Sequence, residues 1–314
     1  MKKFTASNVY ITSHTFLSLY SNPNEEHLLN FLNELDLILK EYKNSSNISL
    51  YCASDLLEYP CGVDNTTLSD VILEMSGNDS LLLGFYLDSI EKSVSSIKSN
   101  IPSEPLLNKL NKPVEHFPRG YLLDFKQGFD VEFDDSLKTK NWFDTLNKNS
   151  KYIIEKHRGK EQFIKWSKEN YNNIDFHSDV LATLDTIISG TYYDFKVLIS
   201  DSLNALNQAS YILSADPQQN ERDLDKIMEY TAKIGRRLTC TRQGSNKPKF
   251  SFSLDAGNDK ATEIINCEYH LKINWNDKGI RLVKENYVRI YFGMRFYSHL
   301  SQKKIKVAHI GKHL

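Results

Sequence analysis

The strongest constraint on the fold is a strict alternation of apolar and polar residues near the end of the chain. From 268 to 275 every second residue is large and apolar, and the residues between are polar. The segment 287–292 alternates in the same way, and 304–310 is a further strand candidate. A period of two residues with one apolar face predicts an antiparallel sheet that is covered on one side.

Helical patterns dominate the sequence before this sheet. Apolar residues recur at near-helical spacing in 24–43, 80–97, 142–171 and, as two runs, 180–213. Strand candidates at 9–18 and 47–52 alternate with the first helices, which is typical of a small α/β or α+β unit.

Two breaks divide the chain. Four prolines in 99–120 indicate a linker, and Pro217 with the polar residues after it precedes a helix candidate at 224–234. We therefore expect an α+β protein with three parts. These are an α/β domain of unknown role at 1–110, a mainly helical region at 111–223 and a small antiparallel-sheet domain at 224–314.

Charge is distributed unevenly along the chain. The net charge is only −1, but residues 231–314 hold 17 Lys and Arg against 6 Asp and Glu, which leaves 22 basic and 34 acidic residues in 1–230. Such a split predicts a polyanionic partner for the basic part. The alternative is a solvated basic surface that binds nothing.

Composition also bears on location. No apolar run approaches the ~18 residues of a membrane helix, and the first ten residues lack the apolar segment of a signal peptide. Four cysteines are scattered without a paired framework, which is typical of a reducing compartment. We expect a cytoplasmic protein that does not contact a membrane.

The predicted polar face carries groups suited to phosphodiester cleavage. A neutral histidine or a carboxylate can take the proton from a 2′-hydroxyl, a second acid can protonate the leaving oxygen, and Arg and Lys can stabilise the phosphate charge. RNA is favoured over DNA because its 2′-hydroxyl is an internal nucleophile. The candidate catalytic residues are Glu268, His270, Arg289, His309 and His313. The candidate nucleic-acid-binding residues are Lys272, Tyr291, Arg295, Lys312, Arg236 and Arg237.

A helix followed by a Glu-x-His-x-Lys strand, an Arg-Ile-Tyr-Phe strand and a final His-Ile-Gly-Lys-His segment resembles the RelE/ParE-type toxin fold. The resemblance covers about 90 of the 314 residues. Arg289 matches the arginine on a central strand of such toxins, and His309 and Lys312 match their C-terminal histidine and basic residues. His270 stands where those toxins show an arginine, the hairpin 294–303 is longer, and the chain is about three times the size of a free toxin.

This resemblance implies a metal-independent endoribonuclease of a bacterial toxin or antiphage defence system, with a protein partner encoded in the same operon. In that activity Glu268 or His309 would be the general base and His270 or His313 the general acid. Arg289 and Lys312 would hold the phosphate. The alternative is a non-catalytic nucleic-acid-binding subunit of a defence complex. A third interpretation is a scaffold whose basic part binds an acidic protein.

Metal and cofactor chemistry is not favoured by the spacing of the polar residues. Cys267 with His270, and His309 with His313, offer four zinc ligands. However, residues three apart on a strand point to opposite faces, and residues four apart lie about 13 Å apart. Asp255, Glu268 and Lys272 do not fit the spacing of an Asp…Glu-x-Lys nuclease. Because no glycine-rich phosphate loop is present either, we expect neither a metal nor a cofactor.

Overall fold

The structure, a computed structural model, describes residues 6–43, 47–61, 65–110, 119–126, 133–236, 238–244, 248–253, 262–298 and 302–314. The chain forms two compact units, 1–149 and 150–314. Helices and sheets occur in both, which confirms a mixed α+β protein. The units differ from the three expected parts, because the helices after residue 150 belong to the same unit as the C-terminal sheet.

The first unit is built around a parallel sheet. Its strands lie in the order β2-β1-β3-β4, and every described pairing is parallel. In chain order its elements are β1 (Ser7–Ile11), α1 (Leu17–Ser21), α2 (Glu25–Lys43), β2 (Ile48–Cys52), α3 (Leu68–Ser76), α4 (Ser80–Val94), α5 (Ser103–Leu110), β3 (Arg119–Leu123) and β4 (Lys138–Thr139). Helix α6 (Trp142–Lys156) contains the boundary between the units.

Helix α2 confirms the prediction for 24–43. Asn24 caps it, because its Oδ1 accepts a hydrogen bond of 2.9 Å from the backbone N–H of His27. Acidic residues occupy its first turn and lysines its last, which complements the helix dipole. Its apolar stripe is buried, and strand β2 then fulfils the prediction for 47–52.

The prediction of a linker at 99–120 is wrong where the structure describes it. Helix α5 lies inside this segment, and its Leu106, Leu107 and Leu110 are buried. Pro105 stands in the first turn of the helix, where its missing N–H breaks no helical hydrogen bond. Residues 111–118, with the last two prolines, lie outside the described residues.

The second unit has a mixed five-stranded sheet in the order β5-β11-β10-β9-β6. Only the β5–β11 pairing is parallel, so the middle region supplies an edge strand to the C-terminal sheet. The elements after α6 are α7 (Lys160–Asn170), β5 (Ile174–Phe176), α8 (Val180–Thr183), α9 (Lys196–Ala209), α10 (Asn220–Lys233), β6 (Thr239–Arg242), β7 (Lys249–Ser253), β8 (Thr262–Asn266), β9 (Tyr269–Ile273), β10 (Val288–Tyr297) and β11 (Gln302–Gly311).

The three main strand predictions are confirmed as β9, β10 and β11, but the polar face of the sheet is not open along its length. The hairpin β7–β8 packs on that face, and a Cβ on Gly293 would come within 2.8 Å of the carbonyl oxygen of Asn266. Phe252, Ile265, Cys267 and Ala308 form a small buried cluster beneath the hairpin. Much of the polar face is thus covered rather than solvated.

A β-bulge in β11 decides which way its last residues face. Tyr291 pairs with His309 and Phe292 pairs with Val307, so Ala308 has no partner across the ladder. In a regular strand His309 would share a face with Val307. The bulge reverses this alternation and places His309 on the same face as Tyr291.

A buried lysine joins the last strand to α10. The ammonium group of Lys303 donates hydrogen bonds to the carbonyl oxygen of Asp216 at 2.9 Å, to Oδ1 of Asn220 at 2.7 Å and to Oδ2 of Asp223 at 2.7 Å. The side chains of Lys303 and Asp223 are 1% and 0% exposed. Lys226 adds a second cation 3.2 Å from Asp223.

We expect Lys303→Met to lower the free energy of unfolding of the second unit by about 3–5 kcal/mol, because it leaves the carboxylate of Asp223 buried with less compensation. Urea unfolding of the full chain measures this. The control is Lys304→Ala, whose half-exposed side chain lies 3.6 Å from Asp175 and should cost about 1 kcal/mol or less. Equal losses in the two variants would contradict a specific role for the Lys303 bonds.

Candidate functional site

One row of side chains crosses the polar face of the sheet. Thr241 of β6 pairs with His270 of β9, His270 with Tyr291 of β10, and Tyr291 with His309 of β11. The ring centroids of His270 and Tyr291 lie 5.0 Å apart, and those of Tyr291 and His309 lie 5.8 Å apart. Four strands therefore bring two predicted histidines to either side of one tyrosine.

The next row adds cations and ends at a glycine. Lys272 pairs with Arg289, and Arg289 pairs with Gly311. A Cβ on Gly311 would come within 2.6 Å of the carbonyl oxygen of Thr183, so the glycine is required by a close backbone approach. The following residue is also fixed, because its backbone N–H donates to Oγ1 of Thr186 at 3.1 Å.

A third histidine closes over these rows. The ring of His313 lies 6.5 Å from the ring of His270 and 6.3 Å from that of Tyr291. The backbone N–H of Leu314 donates to the Tyr291 hydroxyl at 3.2 Å, which holds this segment over the tyrosine. We call the following set the histidine cluster: His270, Lys272, Arg289, Tyr291, His309 and His313.

Two buried polar atoms of the cluster have no hydrogen-bond partner in the described part of the chain, namely Nδ1 of His270 and Nε of Arg289. Each side chain is only 4% exposed. The terminal nitrogens of Arg289 donate to the carbonyl oxygens of Tyr287 at 3.1 Å and Lys284 at 3.3 Å. An unpaired buried donor is costly.

The positive charge of the cluster is only partly compensated, because Glu285 acts on Arg289 from beyond ion-pair distance. Within the described ranges Lys272, Arg289 and Lys312 make no ion pair with a carboxylate. Burial, together with the charge of Arg289 and Lys284, lowers the pKa of Lys272. Burial also lowers the pKa of Arg289. Lysine and arginine in such surroundings favour the approach of an anion, which is the charge that a phosphate group carries.

The surroundings favour the neutral form of all three histidines. Burial, with the nearby charges of Lys272 and Arg289, lowers the pKa of His270 to about 4. Burial also lowers the pKa of His309 and of His313, against an opposing hydrogen bond in each case. Each ring can therefore accept a proton at neutral pH, which is the requirement for a general base.

One hydrogen bond assigns the proton of His309. Its Nε2 lies 2.9 Å from the carbonyl oxygen of Lys312. Because a carbonyl oxygen only accepts, Nε2 carries the hydrogen in the neutral ring and Nδ1 holds the lone pair. Burial raises the pKa of Tyr291, so its hydroxyl keeps its proton at neutral pH.

Three of the predicted residues are engaged elsewhere, and one lies outside the described residues. Oε2 of Glu268 accepts a hydrogen bond of 3.0 Å from Nε of Arg242. Arg295, near the far end of β10, lies 3.5 Å from Glu263 and is largely exposed. Arg236 bonds to Asp201 of α9 at 2.7 Å. Arg237 is not among the described residues.

Sequence reasoning missed two features of this face. Thr241, whose Oγ1 lies 3.1 Å from Nε2 of His270, stands in a strand of four residues, too short to show a clear period. Lys306 is buried between Asp175 at 2.6 Å and Glu263 at 2.9 Å. Although burial disfavours its ammonium form, these carboxylates and Tyr297 raise its pKa, and the group is satisfied without a ligand.

No group of three or more His, Cys, Asp or Glu side chains in the described residues is placed to hold a metal ion. In the same residues no helix is long and apolar enough to cross a membrane. Comparison with protein-family models, with curated proteins and with solved structures found no match for this chain. The cluster is therefore interpreted from its own geometry.

Acid should destabilise the second unit through His270. Its pKa in the folded chain, about 4, lies below the ordinary value of 6.5, so the unfolded chain binds more protons between these values. The stabilisation by neutral His270 is complete above pH 6.5 and is lost as the pH falls towards 4.

We therefore expect the thermal unfolding midpoint to fall less steeply between pH 7 and pH 4 in His270→Gln than in the wild type. Differential scanning fluorimetry measures the two slopes. The control His27→Gln changes a half-buried histidine on α2 of the other unit and should keep the wild-type slope. A wild-type slope in His270→Gln would show that this ring does not titrate on unfolding.

Proposed function

We propose that the chain is a metal-independent ribonuclease whose active site is the histidine cluster. The observation that carries this proposal is the meeting of three neutral histidines with Lys272 and Arg289, neither of which makes an ion pair within the described residues. Neutral imidazoles transfer protons, and unpaired cations attract phosphate. No other described group on this face combines both properties.

The proposed reaction needs no water and no metal ion. The 2′-oxygen of a ribose attacks the adjacent phosphorus while a neutral histidine removes its proton. The bond from phosphorus to the 5′-oxygen breaks, and a second group donates a proton to that oxygen, which yields a cyclic 2′,3′-phosphate and a free 5′-hydroxyl. Lys272 and Arg289 stabilise the negative charge that develops on the phosphate oxygens.

The proton donor acquires its proton with the substrate. A phosphate within a few ångströms favours the charged imidazolium and raises the pKa of a neighbouring histidine. Burial, followed by the charges of the cationic neighbours, lowers the pKa of His270 to about 4, and an anion among these neighbours would reverse the part of the shift that they cause. Glu268 is engaged by Arg242 at 3.0 Å, so we assign the base to His309, through Nδ1, and the acid to His270 or His313.

The order of elements supports the proposed resemblance to RelE/ParE-type toxins. Helix α10 precedes an antiparallel meander of β9, β10 and β11, with β6 beside β9. Arg289 lies on the central strand of this meander, and His309 lies on its last strand. We further propose that the protein acts in a bacterial toxin or antiphage defence system, together with a protein partner encoded in the same operon.

The alternative is a nucleic-acid-binding subunit without catalysis, and burial favours it. His270, Arg289 and His309 are each 4% exposed, whereas Lys312 and His313 are exposed at the rim. In this alternative Lys312 and His313 bind the phosphate backbone, and the buried residues stabilise the sheet.

We expect the purified full chain to cleave single-stranded RNA in the presence of EDTA and to leave the DNA of the same sequence intact. His313→Ala should reduce the cleavage rate by about 100-fold or more, as expected for loss of an acid–base group. Lys272→Ala should reduce the cleavage rate to a similar extent, because it removes a cation that stabilises the charge on the phosphate. Denaturing gels with end-labelled oligonucleotides measure the rates.

The matched control is Arg295→Ala, which removes an exposed cation from the same face at the far end of β10. It should cleave at the wild-type rate. Binding that weakens gradually with each lysine removed and with rising salt, without cleavage by any variant, would favour the binding subunit instead.

A further inference from the structure

Large apolar side chains are exposed in two loops beside the histidine cluster. Trp275, Ile280 and Val283 lie in the loop 274–287 between β9 and β10, and their exposed fractions are 43%, 59% and 62%. Ile188 and Tyr193, in the loop between α8 and α9, are 63% and 60% exposed. This concentration of exposed apolar surface marks an interaction site more often than a free surface. We call these five residues the apolar rim.

The loop 274–287 is held in place rather than loosely attached. Oδ1 of Asn276 accepts hydrogen bonds from the backbone N–H groups of Lys278 at 3.1 Å and Ile280 at 2.9 Å. The carboxylate of Asp277 caps α9 by accepting from the backbone N–H groups of Val197 at 2.9 Å and Leu198 at 3.1 Å. The exposed side chains are therefore presented by a fixed backbone, which lowers the entropy lost on binding.

Two hydrogen bonds join the loops. The backbone N–H of Asp277 donates to the carbonyl oxygen of Asp194 at 2.8 Å, and the hydroxyl of Ser189 donates to the carbonyl oxygen of Asn286 at 3.1 Å. The two loops that carry the apolar rim are thus connected to each other.

Basic side chains are interspersed with the rim. Lys278, Arg281 and Lys284 belong to the loop 274–287, and none of them makes an ion pair within the part of the chain that the structure describes. The guanidinium carbon of Arg281 lies 5.8 Å from the centre of the Trp275 ring. An exposed aromatic ring beside unpaired cations matches a nucleobase and its phosphate, since bases stack on indole and guanidinium planes. An apolar protein partner would not require the cations.

The loop that carries Trp275 connects two strands of the histidine cluster, β9 and β10. Strand β9 ends at Ile273, which pairs with the first residue of β10. Trp275 follows Lys272 by three residues, so their Cα atoms are at most about 10 Å apart. The carbonyl oxygen of Lys284 in the same loop accepts a hydrogen bond from Arg289 at 3.3 Å. A strand of RNA with its phosphate at Arg289 can therefore extend a neighbouring base over the loop.

We propose that Trp275, with Arg281 beside it, is a stacking site for an unpaired nucleobase, and that the substrate class is single-stranded RNA. This inference rests on the proposed function, because it takes the histidine cluster as the position of the adjacent phosphate. Bases inside a duplex do not expose their faces, so the stacking site selects against paired RNA.

The tryptophans of the chain provide a direct test. The chain contains three; Trp142 and Trp166 are each 4% exposed, and Trp275 is 43% exposed. We expect a short single-stranded 2′-O-methyl RNA, which cannot be cleaved through its blocked hydroxyl, to quench the tryptophan fluorescence of the full chain on titration. The same sequence annealed to its complement should quench little. Trp275→Phe should abolish the change in fluorescence while it keeps most of the affinity, measured with a labelled RNA by anisotropy.

The variants separate stacking from electrostatics. Trp275→Ala should weaken binding of the single strand by about tenfold, and binding of the duplex by much less. Ile212→Ala, which removes a side chain of the same 43% exposure near the C-terminal end of α9, should not change either affinity. Equal affinity for single strand and duplex, or wild-type affinity in Trp275→Ala, would overturn the stacking site.

Failure of this inference can be distinguished from failure of the proposed function. If His313→Ala abolishes cleavage but Trp275→Ala neither weakens binding nor changes strand selectivity, the ribonuclease stands and the stacking site is excluded. If neither the wild type nor any variant cleaves RNA but the single strand selectively quenches Trp275, the stacking site is supported and the protein binds RNA without cleaving it.

Discussion

The arrangement of the candidate site depends on the register of β11 against β10. Strand β11 must present Lys303 to α10 on one face of the sheet and His309 to Tyr291 on the other. These positions are six residues apart, so a regular strand would turn both to the same face. The unpaired Ala308 removes this conflict, because one extra residue reverses the alternation after Val307.

The segments around the histidine cluster fix its position and limit where its charge is accessible. Gly311 allows β11 to approach the backbone of Thr183, and the segment after it returns over Tyr291. The hairpin β7–β8 covers the other end of the polar face, where Lys306 is neutralised by Asp175 and Glu263. The cations without an ion pair in the described residues, Lys272, Arg289 and Lys312, are therefore at the end of the sheet where β9 and β11 finish. There they combine with rings whose burial favours the neutral form, a combination suited to binding an anion and moving a proton.

Much of the second unit could be predicted from sequence, because apolar and polar residues alternate in its central strands. The polar residues at every second position therefore lie on one face. His270, Lys272, Arg289 and Tyr291 were placed on one face for that reason. The burial of this face could not be predicted, since it depends on a hairpin and a closing segment distant in the chain. His309 lies on the polar face because of the β-bulge, and the residue pattern of β11 does not indicate this bulge.

Other features of the structure differ from the expectation for specific physical reasons. Glu268 has the parity of His270, but it lies before the first residue of β9, and Arg242 on the neighbouring strand holds it. The prolines of 99–120 resembled a linker although Pro105 fits the first turn of α5. The alternation of 268–275 predicts Trp275 as the last residue of an apolar strand face, whereas β9 ends at Ile273 and Trp275 is 43% exposed in the following loop.

The bond between Lys303 and Asp223 joins positions 80 residues apart in the chain. Closing such a loop costs entropy before the contact contributes anything, so β11 should dock late in folding. His309 and His313 follow Lys303 and reach the sheet only with this strand. A nascent chain that has already formed α10, β9 and β10 consequently holds the phosphate-attracting cations without the complete set of proton-transfer groups. If the chain is the proposed ribonuclease, it would therefore bind nucleic acid during synthesis before it could cleave it.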